Sequence, residues 1–123
     1  MARAELRDSW TTDASMDVAR QVLRVFLLQH RMSVVRDYGG TAVDVKQGSQ
    51  FITRFLGGWF VNPRNFPKRA VIRFSPYGQL LKVDASIEET LGFGYLDPYF
   101  KSRYADYFQF WMNALKDALP PVP

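Results

Sequence analysis

No cysteine occurs in the 123 residues, and His30 is the only histidine. The first absence removes disulfides, thiolate metal sites, palmitoylation and a cysteine nucleophile together. With one imidazole and no thiol, a zinc site would have to be built from carboxylates, and no spacing in the chain suggests one. Long apolar runs are missing as well. The longest strictly aliphatic or aromatic stretch is Val25 to Leu28, far short of what a membrane-spanning helix needs. The opening MARAELRDSWTT has no apolar segment of the signal-peptide kind, so the chain reads as cytoplasmic. Phosphate-binding loops are absent: Gly57-Gly58 and Gly92-Phe93-Gly94 lack both the third glycine and a following Lys-Ser/Thr pair. No serine sits in a GxSxG setting, and Glu88 and Glu89, being adjacent, face opposite ways on a strand. The expectation is a protein that is not an enzyme and carries no cofactor or metal.

One further absence is local. Between Asp44 and Asp84 there is no acid, while Lys46, Arg54, Arg64, Lys68, Arg69, Arg73 and Lys82 are all present, and the whole chain carries a net charge of +4. If the block folds into neighbouring strands it presents a positive surface. Otherwise these cations are a solvated sheet face that discourages edge pairing.

What is present is a pattern for one folded domain over residues 1–123, with 1–12 an edge strand or a tail and 120–123 a tail. A hydrophobic share of 47% and a charged share of 23% fit a packed core and argue against disorder. Ser15 caps a helix that runs to about His30, with Val18, Ala19, Val22, Leu23, Val25, Phe26 and Leu27 as a wide apolar sector. Ser33–Tyr38 and Thr41–Lys46 flank Gly39-Gly40. Pairing Tyr38 with Thr41 across that turn sets Val34 opposite Val45 and Arg36 opposite Val43. Gln47-Gly48-Ser49 then turns the chain into Gln50 to Val61, whose two faces are both partly apolar, as in a central or covered strand. Gly57-Gly58 marks a bend there. After the loop Asn62 to Pro67 comes a strand, Lys68 to Ser75, then a turn at Pro76-Tyr77-Gly78. The next strand, Gln79 to Glu88, points Leu81, Val83, Ala85 and Ile87 one way and Lys82, Asp84, Ser86 and Glu88 the other. A hinge at Gly92 to Tyr95 leads to the last helix, Leu96 to Leu119, with Asp97 as N-cap and Pro98 in the first position. Phe100, Tyr104, Tyr107, Phe108, Trp111, Ala114, Leu115, Ala118 and Leu119 share one side of it.

Consecutive strands joined by tight turns imply an antiparallel meander framed by two amphipathic helices. The fold class is therefore α+β, a four- to six-stranded antiparallel sheet with both helices on one face, in the order (β)αββββα. That order resembles the helix-grip and TATA-binding-protein-like folds, in which a long C-terminal helix crosses a curved sheet. The likeness covers element order over most of the chain and no signature motif, so it carries no site residues with it.

Two sets of residues stand out as binding candidates. The first is a pocket between the last helix and the sheet, roofed by Phe100, Tyr104, Phe108 and Trp111, with Arg54 and tyrosine hydroxyls as polar contacts for an apolar or amphipathic small molecule or lipid. The second is an aromatic–basic rim of Trp59, Phe60, Arg64, Phe66, Lys68 and Arg69, suited to an anionic membrane surface or to nucleic acid by stacking and phosphate contact. The two-sided strand Ile52, Arg54, Leu56 suggests a protein-interaction or homodimer surface as a third reading. The small-molecule reading leads, because the aromatic stripe is the bulkiest feature of the sequence.

Overall fold

A computed structural model describes residues 4–47, 67–90 and 98–122, with the side chains of 98–100 excepted. The elements are β1 (Glu5–Thr12), α1 (Met16–Gln29), β2 (Ser33–Asp37), β3 (Ala42–Gln47), β4 (Lys68–Tyr77), β5 (Leu80–Glu89) and α2 (Pro98–Ala118). The five strands form one antiparallel sheet in the order β1-β5-β4-β3-β2. The first strand thus pairs with the last, and α1 links the two opposite edges.

Alternation builds the inner face. Ala70, Ile72 and Phe74 of β4 and Leu81, Val83, Ala85 and Ile87 of β5 are all buried, with Leu6 and Trp10 of β1 and Val43 and Val45 of β3 beside them. On α2 the buried positions are Tyr104, Phe108, Trp111, Met112 and Leu115, with Leu119 just past its end, the stripe that a 3.6-residue repeat turns to one side. The 21 residues of α2 make a rod of about 31 Å, enough to cross the sheet. Trp111 meets Phe26 of α1 edge-on with ring centroids 5.6 Å apart and donates from Nε1 to Met32 Sδ at 3.2 Å. Both helices therefore share one core with the sheet.

Several local expectations are corrected. The apolar sector of α1 is narrower than its sequence suggests: Ala19, Leu23, Phe26 and Leu27 are buried, whereas Val18 and Val25 are about half exposed at 49% and 53%. Seven apolar positions wrap too much of a helix that touches its core along one line. In the β2–β3 hairpin, Val34 does face Val45, but Arg36 faces Asp44, and Asp37 faces Val43. The Tyr38 amide donates to the Ala42 carbonyl at 2.8 Å, so the loop has one residue more than a two-residue turn, and a bulge between Val34 and Arg36 absorbs it. Gly39 and Gly40 have φ of 71° and 82°, a region closed to most side chains. The next turn falls at Gly78-Gln79 rather than at Pro76–Gly78, because β4 continues to pair through Tyr77 with Leu80.

The expected strand Gln50 to Val61, the bend at Gly57-Gly58, the loop from Asn62 to Phe66, the hinge at Gly92 to Tyr95 and the Asp97 cap lie outside the described residues.

Candidate functional site

Cross-strand register stacks the inner face into rows. One row is Leu6, Ile87, Ala70 and Val45; the next, toward one end of the sheet, is Glu89, Lys68 and Gln47. The residues of this end row are all inward and buried, with exposures of 6%, 1% and 7%. Among the described residues, this row of amide, amine and carboxyl holds the buried ionisable groups of the inner layer, with Thr12 a further buried polar side chain. Burying such groups is costly unless something engages them.

The partners come from three elements. Lys68 Nζ donates to Gln47 Oε1 at 3.3 Å and lies 4.6 Å from the centre of the Tyr107 ring. The Tyr107 hydroxyl donates to the same Gln47 oxygen at 3.1 Å, and the Gln47 amide nitrogen donates to the carbonyl of His30 at the end of α1. The Tyr104 hydroxyl donates to the carbonyl of Pro67 at 2.8 Å. Gln47 thus fastens β3, β4, α1 and α2 through one side chain. Burial pushes the Lys68 amine down from its usual 10.5 to about 7, since a low-polarity surrounding disfavours its charged form.

A groove and an aromatic cluster flank this row. On the β1 side, a groove of about 490 Å³ runs between β1 and the first turns of α2, lined by Leu6, Lys101, Ala105, Phe108 and Gln109 among others. On the β3 side, Phe110 is 59% exposed and its ring lies 5.9 Å from that of Tyr107 and 6.0 Å from that of His30. The His30 ring in turn rests 4.2 Å from that of Phe26.

Of the residues named from sequence for a pocket, Tyr104, Phe108 and Trp111 are together on the inner side of α2 at 0%, 1% and 0% exposure. They are packed against protein, so the open volume lies on the flanks of the helix. The side chain of Phe100, and Arg54, fall outside the described residues. So do Trp59, Phe60, Arg64 and Phe66 of the proposed rim. Lys68 and Arg69 do not share a surface: Lys68 points inward, whereas Arg69 is on the outer face, 3.8 Å from Asp44. Strand alternation separates them. The register also brings acids to the cations that the sequence isolates, with Arg69 opposite Glu88 and Arg73 opposite Asp84. The described outer face is therefore of mixed sign.

Sequence reasoning missed Gln47 and Glu89, placing the first in a turn and ending a strand before the second. Each continues an alternation already visible, Val43-Val45-Gln47 and Val83-Ala85-Ile87-Glu89. Polarity hid them. Among the described residues no three side chains of metal-binding type converge, and no helix is long and apolar enough to cross a membrane.

A long helix laid against an antiparallel sheet whose first and last strands pair defines a helix-grip-like α+β fold. No family model and no curated protein matches the sequence. Among solved structures, the chain is similar to Ara h 8.0201, at a TM-score of 0.51 and 10% identity over 92% of this chain and 94% of the other. It is also similar to DR_A0006 from Deinococcus radiodurans, at a TM-score of 0.45 and 9% identity over 93% and 99%. At such identity the first likeness speaks for the fold alone.

Proposed function

We propose that the protein is a non-catalytic binding domain for an amphipathic small molecule held beside α2, with its polar end at the Glu89–Lys68–Gln47 row. The observation that carries this reading is the burial of that row at the end of an apolar helix–sheet layer. A structure that needed only stability would gain from apolar residues there. The flanking groove of about 490 Å³ has the volume of a small-molecule site.

The test combines native mass spectrometry of the purified protein with a fluorescence titration using 1-anilinonaphthalene-8-sulfonate. Saturable one-to-one binding is expected, weakened about tenfold in Lys68→Met, the effect of losing one charge-assisted contact. Non-saturating binding, or equal affinity in the variant, would remove the assignment.

A further inference from the structure

We propose that the flank formed by α1 and β2 is a docking surface for an anionic lipid bilayer, with Leu28 seated among the acyl chains and Arg24 and Arg31 on the headgroups. This goes beyond the small-molecule reading and does not depend on it.

Apolar surface is concentrated here. Of the large apolar side chains exposed among the described residues, all but Tyr77 lie on this flank or at its end. Val18, Val25 and Leu28 project from the water side of α1, and Leu28 is the most exposed of all at 72%. Val34 and Val35 of β2 and Tyr38 just after it are exposed as well. The two elements lie side by side. Three residues link the end of α1 to β2, and near the start of α1 Arg20 Nε donates to the Gly40 carbonyl of the hairpin loop at 2.9 Å. Phe110 joins the flank at the C-terminal end of α1, its ring 6.0 Å from that of His30. Beside Val22 and Val25 the face opens into a groove of about 300 Å³ that reaches Ala118, an apolar recess for part of an acyl chain.

The charge on the same flank is mainly of one sign. Residues 18–38 hold four arginines, Arg20, Arg24, Arg31 and Arg36, against the single acid Asp37, a balance of +3 where the whole chain has +4. Some of this charge is already engaged. Arg20 lies 3.6 Å from Asp17, Arg36 faces Asp44 across the hairpin, and Asp37 accepts from the Gly40 amide at 2.7 Å. Arg24 and Arg31 are both exposed. Arg24 stands one helical turn before Leu28, and Arg31 follows the helix three residues after it. The most exposed apolar side chain of the molecule thus has a cation to either side.

The two properties together select the partner. A second copy of this face would set arginine against arginine, and like charges across an interface are costly. A nucleic acid would meet aliphatic side chains around Arg24 and Arg31, where its bases need rings to stack on. A bilayer containing phosphatidylserine offers negative headgroups to the arginines and hydrocarbon to Leu28 and Val25 at once. The 14 residues of α1 span about 21 Å, a length suited to lying in the interface plane and too short to cross the bilayer.

The experiment floats the full chain with vesicles of equal parts phosphatidylserine and phosphatidylcholine, and with vesicles of phosphatidylcholine alone. Binding is expected to the first and not to the second. It should fall as sodium chloride is raised from about 0.1 to about 1 M, which shortens the screening length from about 10 to about 3 Å. Arg24→Gln combined with Arg31→Gln should weaken partitioning about 25-fold, or about fivefold for each cation removed from an anionic surface. Leu28→Asp, at a position open to water, should weaken it at least about tenfold and leave the thermal melt in place. Arg69→Gln combined with Arg73→Gln removes the same charge from the outer sheet face and should bind like the wild type. No binding to the anionic vesicles, or an equal loss from both arginine pairs, would overturn the inference. So would a dimer in light scattering that Leu28→Asp dissociates, since the face would then belong to a second copy.

Discussion

Lys68 is where local sequence and fold disagree most. It lies in an acid-free block and invites assignment to a basic surface, yet the strand period sends it inward while Arg69 faces out. Only the register of β3, β4 and β5 shows what it meets, and register is set by turns whose lengths the sequence leaves loosely defined. The thermodynamic consequence has a definite sign. The amine sits near 7 in the folded protein against 10.5 ordinarily, so between those values the unfolded chain binds more protons and stability rises with pH. Below about 7 both states are protonated and the full penalty, on the order of a few kcal/mol, remains. Thermal melts from pH 7 to 9.5 should show the midpoint rising in the wild type and a flatter profile in Lys68→Met. An unchanged pH slope in that variant would contradict the account.

At the scale of elements, the helices and strands with clean periodicity were readable in advance: the inward set of β5, the stripe of α2 and the Ser15 cap, whose oxygen accepts from the Val18 amide at 3.2 Å. What escaped were adjustments that cancel one another. The extra loop residue after Tyr38 and the bulge at Val35 leave Val34 opposite Val45 as though neither existed. Arg20 also intrudes unannounced, donating from Nε to the Gly40 carbonyl at 2.9 Å and holding α1 against the hairpin. A β-carbon at Gly40 would meet that nitrogen at 2.8 Å. The end of α1 supplies a sharper case. The Met32 amide donates to Leu27 and the Arg31 amide to Leu28, which closes the helix with Arg31 at φ 56°. Such a closure favours glycine at this position, because a β-carbon crowds the left-handed backbone. Arg31→Gly should therefore stabilise the protein by about 0.5–1 kcal/mol, raising the melting midpoint by a few degrees. A lowered midpoint would mean that the arginine side chain contributes more than its backbone costs.

At the scale of the whole molecule, the two ends of the described chain are tied together. Trp10 of β1 donates from Nε1 to the Leu119 carbonyl at 2.8 Å, and the Val122 amide donates to Thr11 at 2.9 Å. Lys116 of α2 pairs with Asp8, which holds the Asp8 carboxyl below its ordinary 3.8. Because that carboxyl is depressed in the folded state, its contribution is complete above 3.8 and disappears as pH falls through the lower folded value. Both side chains are about a third exposed, at 36% and 31%, so the pair is worth no more than about 1 kcal/mol. Acid titration of Lys116→Ala should show a correspondingly smaller loss of stability below pH 4, and an unchanged acid limb would mean that the pair is too screened to matter. None of these ties could be inferred from sequence, since each joins residues more than a hundred positions apart and none depends on a motif. The strand order has a consequence for how the chain is made. β1 leaves the ribosome before its partner β5, with α1 and the other three strands emerging between them. Until β5 follows, Trp10 has no partner strand to settle beside, and the nascent protein must carry an unsheltered indole.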